Sequence, residues 1–319
     1  MKIILTDAHT VNPGDLSWDE IRRYGECEIY DRTAPEETLS RCLEAEAILT
    51  NKVVFDATTL EALPRLKYIG VLATGYNNID IEAATRQGIT VTNIPAYSTL
   101  SVAQMVFAHL LRITHNVADY ARETRCGRWA ANPDFCYWNT PLIELSGLTM
   151  GIAGLGNIGS AVARIAQSFG MHVLAWTHQA PETLPEGIES VDLDTLFRHS
   201  DVLSLHCRLS EETEGLVNAA RLHTMKPSAI LINTGRGGLI CEPDLAEALN
   251  RKTIYAAGLD VLSSEPPSYD NPLLRARHCY ITPHIAWATR AARERLIHIA
   301  AENLREYYEG LPPRNRINR

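Results

Sequence analysis

The chain has 319 residues, 45% hydrophobic and 21% charged, an ordinary globular composition at a length that points to two domains, each with an apolar core. Thirty basic against 38 acidic residues leave a formal charge of −8, so no broad basic field exists to neutralise nucleic-acid phosphates or an anionic membrane surface. Seven scattered cysteines with no Cys-x-x-Cys pair suggest neither a disulfide scaffold nor a zinc site and fit a reducing cytosol.

In the opening MKIILTDAHTV, Asp7 interrupts the apolar run that a signal peptide needs, and a cytoplasmic protein is expected. Up to about Ile94, β-rich runs (KIILTD, CEIYD, AILTN, LKYIGVLA, TVTNIP) alternate with helical stretches such as WDEIRRYG and APEETLSRCLEA. Such alternation predicts a parallel sheet covered on both faces. A long helix follows, with Ser101-x-x-Gln104 at capping-box spacing and Leu100, Ala103, Phe107, Leu110, Thr114 and Val117 in helical register. Leu145 to Ala163 carries no charge for 19 residues, but its five glycines predict a glycine-rich turn rather than a membrane span. A second alternation starts at Thr149 (TMGIAG, HVLAWT, DVLSLH, AILINTG, AAGLDV, CYITPH). A last helix, Thr289 to Tyr308, stops at Gly310 and Pro312 and is expected to return to the first domain. The predicted fold class is α/β, with two doubly wound parallel-sheet, Rossmann-like domains. Residues 100–288 form the dinucleotide-binding domain, inserted into a substrate domain made of 1–99 and 289–319.

Gly154-Leu155-Gly156-Asn157-Ile158-Gly159 stands directly after the strand TMGIA and before the helical run SAVARIAQSFG. In that context G-x-G-x-x-G is a strong dinucleotide signal: a tight turn, close approach of backbone to pyrophosphate, and close helix–strand packing. The end of the next strand, where a carboxylate holds the ribose of NAD, has Thr177 and then His178 and Gln179. Neither an acid to repel a 2′-phosphate nor an arginine to grip it is present there, so both NAD and NADP stay open.

Three polar segments fall at strand ends of the second alternation, where open α/β sheets bind ligands: NTGRGG (233–238), DVLSSEP (260–266) and TPHIA (282–286). Together with ATGYNNID (73–80), SVAQ (101–104), GLGNIG and FCYWNTPLIEL (135–145), they make the chain resemble, over nearly its whole length, the D-isomer-specific 2-hydroxyacid dehydrogenases. Within that family the likeness is greatest to glycerate dehydrogenases, also called hydroxypyruvate reductases. Reducing a 2-oxo acid needs a cation for the carboxylate and an acid that titrates near neutrality for the carbonyl oxygen. Arg236 has the planar fork to hold the carboxylate, His284 can pass the proton, and Glu265, accepting from the far ring nitrogen, would fix the tautomer. Each of the three alone reads as structural; together, downstream of a dinucleotide turn, they read as catalytic.

The resemblance implies the same three roles. It further implies that Asp260 contacts the nicotinamide carboxamide, that the amides of Thr74 and Gly75 bind the substrate carboxylate with Asn77 and Asn78 supporting their loop, and that His206, Cys207, Arg208, Thr213, Thr234, Gly235, His284 and Ala286 line the cofactor. Arg208 replaces the proline usual in the family, and reads equally as a 2′-phosphate ligand or a surface charge. Trp138 resembles an aromatic that reaches into the partner subunit's active site, which implies a homodimer and a small substrate substituent; packing alone is the competing reading. The function implied is NAD(P)H-dependent reduction of hydroxypyruvate, with glyoxylate second, to the D-2-hydroxy acid. The rivals are a D-lactate dehydrogenase, a glyoxylate reductase, and a non-catalytic dinucleotide-sensing relative of corepressor type.

Overall fold

The computed structural model describes residues 1–318, and the chain forms two compact units, Met1–Ser98 with the segment from Ala288 on, and Thr99–Trp287.

The first unit is built on five parallel strands, β1 (Lys2–Leu5), β2 (Glu26–Ile29), β3 (Ala47–Thr50), β4 (Tyr68–Val71) and β5 (Thr90–Thr92), in the order β2-β1-β3-β4-β5. Every residue of β3 and β4 is buried, which is why AILT and YIGV are continuous apolar runs rather than alternating ones. The helix Arg290–Tyr308 belongs to this unit. Thr289 caps it by accepting from the Ala292 amide, and Gly310, at φ +75°, follows its end. Arg293 anchors it by a two-pronged pair with Asp15, both contacts 2.7 Å. That guanidinium holds the Asp15 carboxyl below the usual carboxylate range.

The second unit has seven parallel strands, β6 (Thr149–Ala153), β7 (His172–Trp176), β8 (Ile188–Ser190), β9 (Val202–Leu205), β10 (Ile230–Asn233), β11 (Ala256–Leu259) and β12 (Cys279–Ile281). Their order is β8-β7-β6-β9-β10-β11-β12. The chain therefore reverses direction across the sheet between β6 and β9, and the carboxyl ends of these two strands flank the crevice where such sheets take ligands. Alternate residues of β10 serve opposite faces: Leu231 packs with Leu203, Leu245 and Leu249, whereas Ile230 and Ile232 pack with Met150, Val106 and Leu110. The three-residue edge strand β8 has no counterpart among the predicted strands.

The long helix departs from its predicted outline at both ends. It runs Thr99–His115, so Ser101 lies inside it rather than capping it, and the Ser101 hydroxyl donates instead to the Ala286 carbonyl at 2.5 Å. At its far end Asn116 turns left-handed (φ +49°), and a separate helix, Val117–Arg125, begins. Val117, expected in the apolar register, is 67% exposed. The uncharged stretch Leu145–Ala163 contains β6, a turn and the start of the helix Asn157–Ser168. Among the described residues no helix is long and apolar enough to cross a membrane.

Candidate active site

The glycine fingerprint occupies the turn from β6 into the helix Asn157–Ser168, and its three glycines answer to three different constraints. Gly154 has φ +98°, and a Cβ there would lie 2.6 Å from the Cys207 amide nitrogen, so only glycine fits beside the end of β9. A Cβ on Gly159 would sit 2.2 Å from the Gly154 carbonyl oxygen, which is the close helix–strand contact. A Cβ on Gly156 would meet nothing within 4 Å, leaving the backbone at the helix N-terminus open to an anion. Asn157 and Ile158 form the first helical turn.

At the end of β7, Thr177 accepts from the Gln179 amide at 3.2 Å, and the Gln179 side chain donates to the Leu155 carbonyl at 2.7 Å. This strand end is thus tied to the glycine turn with no carboxylate in it; the His178 ring lies 5.7 Å from that of Trp176. After β9, His206 shares a 2.8 Å hydrogen bond with Ser204, and burial holds the imidazole down at about 4, hence neutral. Burial likewise raises the Cys207 thiol. Arg208 is exposed. Thr213 is buried, and its hydroxyl donates to the Arg208 carbonyl at 2.6 Å. That bond shapes the loop and leaves the hydroxyl committed within it.

The chemistry-bearing residues follow β10, β11 and β12. Asn233, fully buried, accepts from the Gly235 amide at 3.0 Å and donates to the Arg236 carbonyl at 2.8 Å. The next residue, Gly237, abuts the backbone of Leu262, where a Cβ would fall 1.9 Å from its carbonyl carbon. Arg236 is pinned on both sides, yet its own guanidinium is exposed, touches only the Gly235 carbonyl at 2.8 Å, and has no carboxylate partner among the described residues. Thr234 Oγ1 is buried and has no hydrogen-bond partner among the described residues. An orphaned hydroxyl and the open approach at Gly156 are what a dinucleotide would satisfy, so the residues fit the group.

Glu265 accepts from the Leu262 amide through Oε1 at 3.0 Å and faces His284 Nδ1 through Oε2 at 2.5 Å. With Nδ1–H donating to that carboxylate, His284 Nε2 is left without a protein partner among the described residues. His284 has φ +53°, a left-handed conformation that costs a bulky residue about 1–3 kcal/mol. Asp260 supplies the restraint. It is 1% exposed, and its carboxylate accepts from Thr282 Oγ1 (2.6 Å), the Ile285 amide (2.9 Å) and the Ala286 amide (2.7 Å). The nicotinamide contact that the resemblance implies for Asp260 would add to these three bonds, which themselves anchor the loop. Ala286 is also an anchor: buried, with its amide on Asp260 and its carbonyl on Ser101.

Thr74 and Gly75 lie in the first unit, after β4. Thr74 donates to the Ile94 carbonyl at 2.8 Å, and Asn78 ties the loop to the Val53 carbonyl at 2.9 Å. Trp138 is 67% exposed, in a segment that also presents Phe135 and Trp129. The roles of Asn233, Gly237, Thr282 and Ser101 escaped the sequence reading. All four stood inside the quoted segments, but nothing in a linear motif says which residue packs inward or against what.

A dinucleotide turn at the sheet's reversal point, with an exposed arginine and a histidine–carboxylate pair at neighbouring strand ends, defines the class: an oxidoreductase that transfers hydride with a nicotinamide cofactor. Residues 107–286 match the NAD binding domain of the D-isomer specific 2-hydroxyacid dehydrogenases. The chain is 47% identical over 316 residues to a hydroxypyruvate reductase of Blautia hydrogenotrophica, covering 98% of each. It is 38% identical over 315 residues to a glycerate dehydrogenase of Methylorubrum extorquens, covering 98% of this chain and 97% of that one. Among solved structures, an acyclic imino acid reductase in complex with NADPH and D-Arg is similar at TM-score 0.84 and 32% identity, with 99% and 100% of the two chains covered. The chain belongs to the D-isomer-specific 2-hydroxyacid dehydrogenase family and acts with NAD or NADP.

The glycines give a test that separates fold from binding. Gly156→Ala is expected to leave Tm unchanged and to weaken NADH and NADPH by about tenfold or more, because its methyl group enters open space facing the anion site. Gly159→Ala is expected to lower both Tm and affinity, since its methyl group meets backbone. Thermal melts and fluorescence titration of both variants check the contrast; equal Tm losses would remove the anion-site role of Gly156.

Proposed function

We propose that this dehydrogenase reduces hydroxypyruvate, and secondarily glyoxylate, to the D-2-hydroxy acid. The observation that carries the chemistry is the 2.5 Å contact between His284 Nδ1 and Glu265, together with the exposed Arg236, which has no carboxylate partner among the described residues. Arg236 takes the substrate carboxylate in its fork and draws charge from the adjacent carbonyl. When bound, the nicotinamide cofactor supplies the hydride for the carbonyl carbon. His284 gives its Nε2 proton to the carbonyl oxygen, while Glu265, held by the Leu262 amide, stabilises the imidazolium through Nδ1 and keeps the ring from turning. The neutral ring then regains a proton from solvent; in the oxidative direction Nε2 takes the hydroxyl proton.

The hydroxypyruvate reductase and glycerate dehydrogenase relatives support the substrate assignment. A non-catalytic sensor is disfavoured, because it has no use for an intact His284–Glu265 pair. Seven free thiols suit a reducing cytoplasm. We further propose a homodimer built on the exposed Trp129, Phe135 and Trp138, with Trp138 reaching the partner's substrate pocket; aromatic side chains gathered on an exposed segment favour such a contact.

Turnover is tested by following loss of nicotinamide absorbance with hydroxypyruvate, glyoxylate and pyruvate offered separately, and hydroxypyruvate is expected to give the highest kcat/KM. In the same assay His284→Ala is expected to lower kcat by about 10²–10⁴-fold while cofactor Kd stays within about twofold; unchanged kcat would take His284 out of the reaction. Thr177→Asp is expected to lower kcat/KM for NADPH relative to NADH by about tenfold through charge repulsion, and an unaltered ratio would place the ribose elsewhere. Phe135→Asp with Trp138→Asp is expected to convert dimers to monomers in sedimentation velocity. A wild-type protein that sediments as a monomer overturns the dimer.

A further inference from the structure

Beneath the loop that carries His284 lies a second histidine that the proposed chemistry does not use. His109 stands in the helix Thr99–His115, 4% exposed. It packs directly on β11, where Gly258 leaves room for it: a Cβ on that glycine would fall 2.7 Å from the His109 Cβ. His109 Nε2 lies 3.1 Å from Thr282 Oγ1.

The direction of that hydrogen bond follows from counting protons. Thr282 Oγ1 donates to the Asp260 carboxylate at 2.6 Å, and a hydroxyl has one proton to give. It must therefore accept from His109, so His109 is the tautomer protonated at Nε2. Burial favours the neutral ring, against the opposing influence of the Asp260 charge. The donor chain ends on Asp260, whose carboxylate also accepts from the amides of Ile285 and Ala286, which flank His284 on its C-terminal side.

The same helix grips the loop at a second point. Ser101 precedes His109 by eight residues, about 12 Å or two turns along one face, and donates to the Ala286 carbonyl. One helix thus fixes both the first and the last residue of Thr282–Ala286, with the left-handed His284 between them.

We infer that the helix Thr99–His115 sets the position of the proton-transferring imidazole, and that His109 is a positioning residue for the reaction, acting on His284 through Thr282 and Asp260. The inference rests on the reading of His284 as proton donor. It assigns to a buried side chain a share of kcat that neither the cofactor turn nor the substrate cation accounts for.

The experiment compares His109→Leu, which keeps bulk and loses the donor, with His109→Gln, whose amide nitrogen can stand near the place of Nε2. In the full-length protein, His109→Leu is expected to lower kcat about tenfold for whichever 2-oxo acid the wild type reduces best. KM for that acid and Kd for NADH or NADPH are expected to stay within about twofold, and His109→Gln is expected to recover most of kcat. Equal impairment of the two variants would reduce His109 to packing, and wild-type kcat in His109→Leu would end the proposal outright. If His109→Leu does not fold, Thr282→Val against Thr282→Ser makes the same comparison: loss in the first with retention in the second supports the relay, and equal activity overturns it. Nitrogen-15 histidine spectra give a readout independent of turnover. His109 is expected to show protonation at Nε2 alone, and protonation at Nδ1 or at both nitrogens would break the chain. A wild type that reduces no 2-oxo acid would defeat the functional reading, and the tautomer would then decide the network by itself.

Discussion

The buried carboxylate of Asp260 is the constraint on which the catalytic end of the second unit depends. A charge with 1% exposure is tolerable only if donors replace the water it has lost, and three do so, all of them from Thr282–Ala286. The loop therefore has little freedom to relax: any movement of His284's neighbours strips a bond from a group that cannot find water instead. The left-handed backbone at His284, unfavourable for an isolated histidine, is held because its surroundings over-determine it.

The loop of Arg236 follows the same rule by a different device. Here the anchor is neutral, the amide of Asn233, which closes the turn on itself, and the second restraint is steric, the contact of Gly237 with the Leu262 backbone. That contact links the arginine loop to the segment carrying Glu265, whose own carboxylate is tied to the Leu262 amide. Arginine, glutamate and histidine are thus positioned by backbone that meets around Leu262 and Asp260, not by contacts among their side chains alone.

Most of the fold was legible because its cause is local. Strands buried on both faces are written as short apolar runs, and the turn whose glycines answer two steric constraints and one of open backbone access carries them at fixed spacing. What escaped was determined at long range or weakly. Ser101-x-x-Gln104 has the spacing of a capping box, yet the serine's partner is a carbonyl 185 residues away. The edge strand β8 is three residues long and pairs on one side only. The three residue types at the site pointed to its chemistry, because carboxylate binding and proton transfer narrow the choice sharply. His109 was invisible for the opposite reason: a histidine on the inner face of a helix reads as ordinary core until its partner is known.

The division of labour that results has a physical logic. The groups proposed to meet substrate, Arg236 and the His284–Glu265 pair, are at least partly exposed, whereas the groups that fix them, Asn233, Asp260, Ala286 and His109, are buried. Charge that must respond to a reacting carbonyl is best left without competing protein partners. The dipoles that aim it are best placed where water cannot compete for them and where rearrangement is costly. A reaction that moves one hydride and one proton needs little motion from its donors, so a rigid frame under an open site carries little penalty and lowers the reorganisation required when the carbonyl oxygen begins to gain charge.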